Sequence, residues 1–479
     1  MIKNTNLPAH GFIAEPALAF HSERKEDNDV HPLRGLIQFG PYSRSLIQSA
    51  FDPIRIAFIS PQNTGGAMSR LVRELNETHE PKEREAYLTA FTGFNKIFGV
   101  RVIAAEQSCW QLLDIEDEIR YSAQPHLALA EQITKAISSL QAVRASFDVL
   151  IIYLPERWEK GFKGIEEDDD FDLHDYLKAT TATLNVPTQL FQESTMKYRC
   201  RASVMWRLSI ALYCKAGGVP YKLANTEPET AFIGLSYALH PNQTGTSRRY
   251  VTCCSQIFDA DGAGLQFLTY STDDIKVERD NPYLSRAEML RVMSRSLQLY
   301  QRRHAGRLPR RIVVHKSTEF KPEEITGCQE AFQAIEEIEL LQIQTSSPWR
   351  GIQVEAPTKS GGKGVVSNYP CQRGTFLPLG GRELLLWTQG DASEAALKKG
   401  HFYKEGKAIP SPLFITRFSG HRAWERTCQE LLSLTKMNWN NDSLYDRLPV
   451  TLAYASVLAR TLKRMPNLPA RAHEFRFFM

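Results

Sequence analysis

The chain has 479 residues, with 58 Lys plus Arg against 54 Asp plus Glu, for a formal net charge of +4. Hydrophobic residues make up 42% and charged residues 23%, ordinary globular values that exclude a disordered, collagen-like or coiled-coil chain. Such a length holds roughly two or three domains, and so small a net charge permits nucleic-acid binding without demanding it, because a local patch matters more than the sum.

In chain order, His31–Tyr42 reads as a short strand and a turn. From Ile54 a different rhythm starts. Ile54–Ser60 is an apolar, β-branched run and predicts a buried strand. Helical spacing follows over Ala67–Asn76 and Arg84–Ile97, a strand over Val100–Ala104, a helix over Leu127–Leu140 and a strand over Phe147–Leu154. Strands alternating with helices imply a parallel sheet covered on both faces. The acidic run Glu166–Asp170 predicts a solvated loop. A helix over Asp172–Thr183, a strand over Thr188–Phe191 and a helix over Arg199–Ala216 follow; Gly217-Gly218 ends the last helix.

The second half changes character. Ala231–His240, Arg249–Phe258 and Gly264–Tyr270 predict an antiparallel meander, then Ser285–His304 a long helix. Arg311–His315 and Ile338–Ile343 read as strands around a helix over Pro322–Ile335. Strands Glu383–Trp387 and Leu413–Thr416 lead to helices His421–Leu434 and Pro449–Arg464. The fold class is therefore α/β: a Rossmann-like domain over 51–223, then an RNase H-like domain over 224–479, with 1–50 as a separate segment.

The eight cysteines include no Cys-x-x-Cys pair, so reduced thiols in a cytoplasmic protein are the simplest reading. The N-terminus lacks a basic region followed by an apolar core, and the longest apolar run, Val149–Leu154, is too short to span a bilayer. Gly361-Gly362-Lys363-Gly364 fails as a phosphate loop, because Gly364 stands where Ser or Thr is needed.

His174 and Lys178 lie four apart on a predicted helix and so share a face; Gln189 opens the next strand and Lys215 sits in the last turn of the next helix. Together they offer two ammonium groups, an imidazole and an amide to a doubly charged phosphate. A solvated helix face and a lysine complementing a helix C-terminus are the alternative. Lys197, Arg199, Arg201 and Arg207 stud the following helix and its approach. Arg248-Arg249 and Arg302, Arg303, Arg307, Arg310 and Arg311 form further clusters, suited to a phosphate backbone or to solvated helix ends.

Four stretches carry a resemblance. They are His174-Asp-Tyr-Leu-Lys178 with Pro187-Thr-Gln189, Glu193-Ser-Thr195 and Tyr213-Cys-Lys215-Ala-Gly-Gly-Val219; Phe232-Ile-Gly234-Leu-Ser236; Ile312-Val-Val-His315-Lys316-Ser-Thr-Glu319-Phe320; and Leu434-Thr-Lys436-Met-Asn438-Trp-Asn440 with Leu448-Pro449-Val450-Thr451. In this order the chain resembles the short prokaryotic Argonautes, which consist of a MID and a PIWI domain. The resemblance implies a MID pocket at His174, Lys178, Gln189 and Lys215 that anchors a guide 5′-phosphate, with Thr188, Lys197, Arg201 and Arg207 as further guide contacts. It also implies Mg²⁺ beside that phosphate, ligated by Gln189 and the C-terminal carboxylate of Met479. Arg248, Arg249, Arg310 and Arg311 would follow the nucleic-acid backbone.

The PIWI positions depart from the cleaving members of that family, which hold two metal ions with clustered carboxylates. Ser236, Lys316 and Ser456 stand at the aligned positions. A hydroxyl is a poor Mg²⁺ ligand alone, and an ammonium opposes one. The resemblance thus implies recognition without cleavage: a guide RNA paired with single-stranded target DNA, no PAZ domain, and a separate APAZ-bearing effector. A sirtuin-like NAD-depleting effector is favoured, with TIR or nuclease types as the other forms, and the outcome would be aborted infection. The alternative is an autonomous guide-directed nuclease that uses Asp259, Asp261 and Glu319.

Overall fold

The computed structural model describes residues 10–166, 169–240, 249–271, 275–278, 281–355, 362–406, 408–463 and 472–479. Its first part is an open parallel sheet. Strand Ile54–Pro61 lies between Val149–Leu154 on one side and Val102–Ala104 with Trp110–Leu113 on the other, and Thr188–Gln192 pairs with Val149–Leu154. Every position of Val149–Leu154 is buried, as a strand covered on both faces requires. Alternation sorts its side chains. Leu150 and Ile152 pack with Leu129, Ile133 and Leu177 of helices Pro125–Leu140 and Leu173–Thr183. Val149 and Ile151 face the other way, into the cluster of Met205 and Trp206 from helix Arg201–Lys215.

The second part is built on a ten-stranded sheet. Strands Thr230–His240, Arg249–Asp259 and Gly264–Ser271 form the antiparallel meander. Thr230–His240 also pairs in parallel with Arg311–Lys316, which pairs in parallel with Glu337–Gln344. This is the RNase H-like order. Helices Arg286–Arg303 and Pro322–Ala331 cover one face through Val292 and Cys328, against Ile233 and Val314. Helix Val450–Lys463 covers the other. Gly234 permits that close approach: a Cβ there would stand 2.0 Å from the Thr451 carbonyl oxygen.

The two ends of the chain extend this sheet. Gly11–Phe12 pairs with Thr375–Phe376 at one edge, and Ala472–His473 pairs with Phe267–Leu268 at the other. The N-terminal segment also buries Glu15 between Arg373 Nε at 2.8 Å and Lys436 Nζ at 2.7 Å. Ile13, Leu18, Phe20 and Leu36 join the core shared by both parts.

Several local expectations are corrected. His31–Tyr42 holds a helix, Pro32–Phe39, with the His31 side chain accepting from the Arg34 N–H; a proline at the first helical position suits that start. Only Phe94–Phe98 of the predicted Arg84–Ile97 helix is helical, because Arg84 (φ 54°) and Gly93 (φ 103°) take left-handed conformations. Strand Trp110–Leu113 and helix Glu116–Tyr121 were not predicted. The acidic run is a hairpin of Lys163–Glu166 with Asp169–Asp172, its residues 167 and 168 lying outside the described ones. Gly361 also lies outside them. Among the described residues no helix is long and apolar enough to cross a membrane.

Candidate nucleic-acid interface

Asp172 caps helix Leu173–Thr183 by accepting from the His174 N–H at 2.9 Å. In the second turn, Lys178 lies on the buried side with Leu177 and Thr181. Helix Arg201–Lys215 stops at Gly217, whose φ of 100° suits a residue without a side chain. Lys215 therefore ends its helix inside the protein. The tail supplies the third element. Phe477 and Phe478 pack with Ala182 and Leu458, which brings the Met479 main chain to both lysines.

Lys178 is 3% exposed and Lys215 0%. Lys178 Nζ donates to the Thr188 carbonyl oxygen at 2.8 Å and to the Met479 main-chain oxygen. Lys215 Nζ donates to the same Met479 oxygen at 2.7 Å. Among the described residues neither ammonium pairs with an acidic side chain. Burial drives the Lys178 pKa well below that of a free lysine, and the neighbouring Lys215 charge pushes it further down. Burial likewise lowers Lys215, to about 8. Beside them Gln189 Nε2 donates to the Leu190 carbonyl oxygen at 3.0 Å, while its Oε1 is buried without a hydrogen-bond partner. Two lysines share one oxygen of Met479, the last residue of the sequence; as a C-terminal carboxylate it brings one negative charge against two positive ones, which leaves room for a further anion.

The other expected contacts fall into different places. His174 stands one turn earlier on its helix; its side chain is 55% exposed and 3.3 Å from Asp175. Thr188 is buried, and its hydroxyl donates to the Val186 carbonyl oxygen, so its main chain, not its side chain, meets Lys178. Lys197 is exposed between Glu156 and Glu193. Arg201 is held by Glu74 and by the Thr195 and Met196 carbonyl oxygens. Arg207 opens onto a cleft of about 430 Å³ that Gln189, Arg84, Tyr198 and Asn440 also line. Spacing offered no signal for Arg84, Tyr198 or Asn440, because separate loops bring them in.

The aligned PIWI positions do not form one cluster. Gly234 is registered with His315 and Leu235 with Lys316, so Lys316 projects from the opposite face of the sheet to Ser236. Their placement in a single degenerate metal site is corrected by that register. The Ser236 hydroxyl donates to the Ala455 carbonyl oxygen at 2.7 Å. Lys316, 0% exposed, donates to both Glu324 oxygens at 2.6 and 2.7 Å and is ringed by Tyr237, Tyr283 and Phe320. The Ser456 side chain lies outside the described ones. Asp259 pairs with His304 at 3.1 Å, Asp261 with Lys222 at 2.6 Å, and Glu319 with Lys321 at 2.6 Å. Asp259–Gly262 forms the hairpin turn. Among the described residues no three His, Cys, Asp or Glu side chains group to hold a metal.

Arg248 lies outside the described residues, and Arg249 begins a strand. Arg310 is exposed and paired with Glu336. Arg311 corrects the reading of a backbone contact: it is 2% exposed and bound by Glu339 and Glu430. A guanidinium enclosed in this way is a core ion pair, closed to a phosphate backbone.

Residues 163–345 match the Piwi domain. No curated protein matches the chain in sequence. Among solved structures, the chain is similar to Clostridium butyricum Argonaute bound to a guide DNA and a 19-mer target DNA, at 16% identity and a TM-score of 0.66, over 98% of this chain and 55% of that one. It is similar to Aquifex aeolicus Argonaute with externally bound siRNA at 16% identity and a TM-score of 0.61, over 99% and 56%. A further structure of the A. aeolicus protein gives 16% and 0.62, over 98% and 55%. The chain thus carries a Piwi domain within an Argonaute-like fold, and it spans just over half the length of those proteins.

Proposed function

We propose that this chain is a guide-binding module that holds the 5′-phosphorylated end of a short RNA and presents the strand to single-stranded DNA. Base pairing would read sequence, while the protein holds the backbone. The observation that carries this reading is the pair of buried lysines that share one Met479 oxygen and, among the described residues, meet no acidic side chain. A dianionic terminal phosphate would neutralise both through charge-assisted hydrogen bonds. For the Mg²⁺ that the resemblance implies beside that phosphate, Gln189 Oε1 is a buried oxygen donor of the kind a hard cation takes, whereas the Met479 oxygen seen here is held by both lysines. The cation would screen the phosphate's remaining charge; the lysines orient it.

Recognition without cleavage is supported by Ser236, a hydroxyl bound to a main-chain carbonyl at the position where the cleaving relatives would need a carboxylate. The effect of recognition then falls to a second protein. The resemblance favours an APAZ-bearing, sirtuin-like partner that depletes NAD to abort infection.

The test is binding of one sequence with a 5′-phosphate and with a 5′-hydroxyl. A preference of about tenfold or more is expected, and Lys178→Ala should abolish it. Equal affinity for both ends would overturn the reading. Cleavage of a guide–target duplex with divalent metal, lost on mutating Asp259, Asp261 or Glu319, would establish the nuclease alternative instead. NAD consumption by the co-purified partner, dependent on guide and target together, checks the effector step.

A further inference from the structure

Besides Lys215 at its end, helix Arg201–Lys215 meets the second half of the chain at a buried carboxylate, Asp442. Asp442 belongs to the loop before helix Val450–Lys463 and is 2% exposed. Its Oδ2 accepts from the Ser203 hydroxyl at 2.7 Å, and its Oδ1 accepts from Arg207 Nε at 2.8 Å. Arg84 Nη1 stands 4.0 Å from Oδ2. Ser203 and Arg207 lie four apart, on one side of their helix. Both guanidiniums line the 430 Å³ cleft that Gln189 shares.

The arrangement separates holding from presenting. Arg207 spends Nε on the carboxylate, while its side chain remains 48% exposed at the cleft. A long arginine side chain loses much conformational freedom when ordered, and a buried carboxylate removes that freedom beforehand. Arg84 also lies 3.6 Å from Glu83, so the two guanidiniums are matched by two carboxylates and stay ordered at the cleft.

We propose that Asp442 is a positioning residue, which fixes Arg207, and with it Arg84, to receive an internal phosphodiester of the strand whose 5′ end sits at Lys178 and Lys215. The inference rests on the guide-binding reading above. It adds that the second half of the chain sets the charge geometry of the first half's cleft, through a side chain that touches no nucleic acid.

The test compares two probes: a nucleoside 5′-monophosphate, which reaches only the lysine pair, and a 5′-phosphorylated strand of about ten nucleotides, which also crosses the cleft. Asp442→Asn should weaken the strand about tenfold and leave the monophosphate unchanged. In a double-mutant cycle, Asp442→Asn should add little to Arg207→Ala, because the first acts through the second. Equal weakening of both probes, or fully additive losses, would overturn the proposal. Should Asp442→Asn fold poorly, Ser203→Ala removes a donor that orients the carboxylate and should weaken the strand alone, by about threefold; no loss there would overturn it too. A wild-type protein indifferent to the 5′-phosphate would instead sink the guide-binding reading itself, and this proposal with it.

Discussion

The molecule buries lysines in two contrasting ways. In the second half of the chain Lys316 is enclosed with Glu324 at 2.6 Å, inside three aromatic rings. In the first half Lys178 and Lys215 are as deeply buried but face a shared main-chain oxygen. The first arrangement cancels its charge internally and is complete. The second sets two cations against a single chain-end group, so part of its charge is left for something else to cancel. Burial alone therefore says little about role; the partner decides whether a buried cation is architecture or a receptor.

The largest effect should come from breaking the complete pair. Lys316→Met strands the Glu324 carboxylate in the core and is expected to cost about 3–5 kcal/mol of stability, read by denaturant unfolding. Lys316→Met with Glu324→Gln should recover much of that loss. A single variant as stable as wild type would break the contrast from this side.

From the other side, Lys178→Met should weaken binding of a 5′-phosphorylated strand about 100-fold, as expected for losing about two charge-assisted contacts. Its unfolding midpoint should stay unchanged or rise, because a desolvated charge has been removed and Lys215 still holds the shared Met479 oxygen. A large fall in stability would place Lys178 with Lys316 as architecture.

The third test uses pH. Lys215 has its folded pKa lowered to about 8 by burial, against about 10.4 in an unfolded chain. The cost of burying its charge is full below about pH 8. Between pH 8 and 10.4 the unfolded state binds more protons, so stability should rise with pH across that window. Phosphate affinity should move oppositely, falling by up to about tenfold per pH unit above 8 as the ammonium discharges. The terminal phosphate is already ionised there, with a second pKa of about 6. Lys215→Met should flatten this slope, as measured by fluorescence titration from pH 7 to 9.5; an unchanged slope would place the titration elsewhere.

The smallest expected effect concerns a third way of burying a base. His315 projects from the opposite face of its strand to Lys316 and donates or accepts at the Thr451 hydroxyl, 2.8 Å away. Burial lowers its pKa to about 3, so it simply stays neutral. Its contribution is fully present above pH 6.5 and is lost as pH falls towards 3, because the unfolded chain protonates first. From pH 6.5 to 5.5 this amounts to about 1 kcal/mol, visible as a shallower acid slope in His315→Gln.

Much of the fold was legible because it follows periodicity. The all-apolar run at Val149–Leu154 could only be a strand covered on both faces, and Ala231–Tyr270 alternates with turn residues at Asp259–Gly262. Errors gathered where local signals were mixed. Pro32 opens a helix that reads as a strand and turn, and left-handed Arg84 disrupts a run with helical spacing. For the site, Lys178, Gln189 and Lys215 were nominated by residue type and order. Their burial, and the absence of an acidic side chain beside the two lysines among the described residues, were not legible.

By itself, then, the sequence determined the α/β alternation, the helix ends at Asp172 and Gly217, and the candidates for a phosphate pocket, since these depend on neighbours a few residues away. Only the tertiary structure decided which cations are spent. It placed Glu324 against Lys316, three carboxylates around Arg311, and Asp442 against Arg207 across 235 residues of chain. Charge compensation depends on distance in space and on burial, and neither is written in the local order of residues.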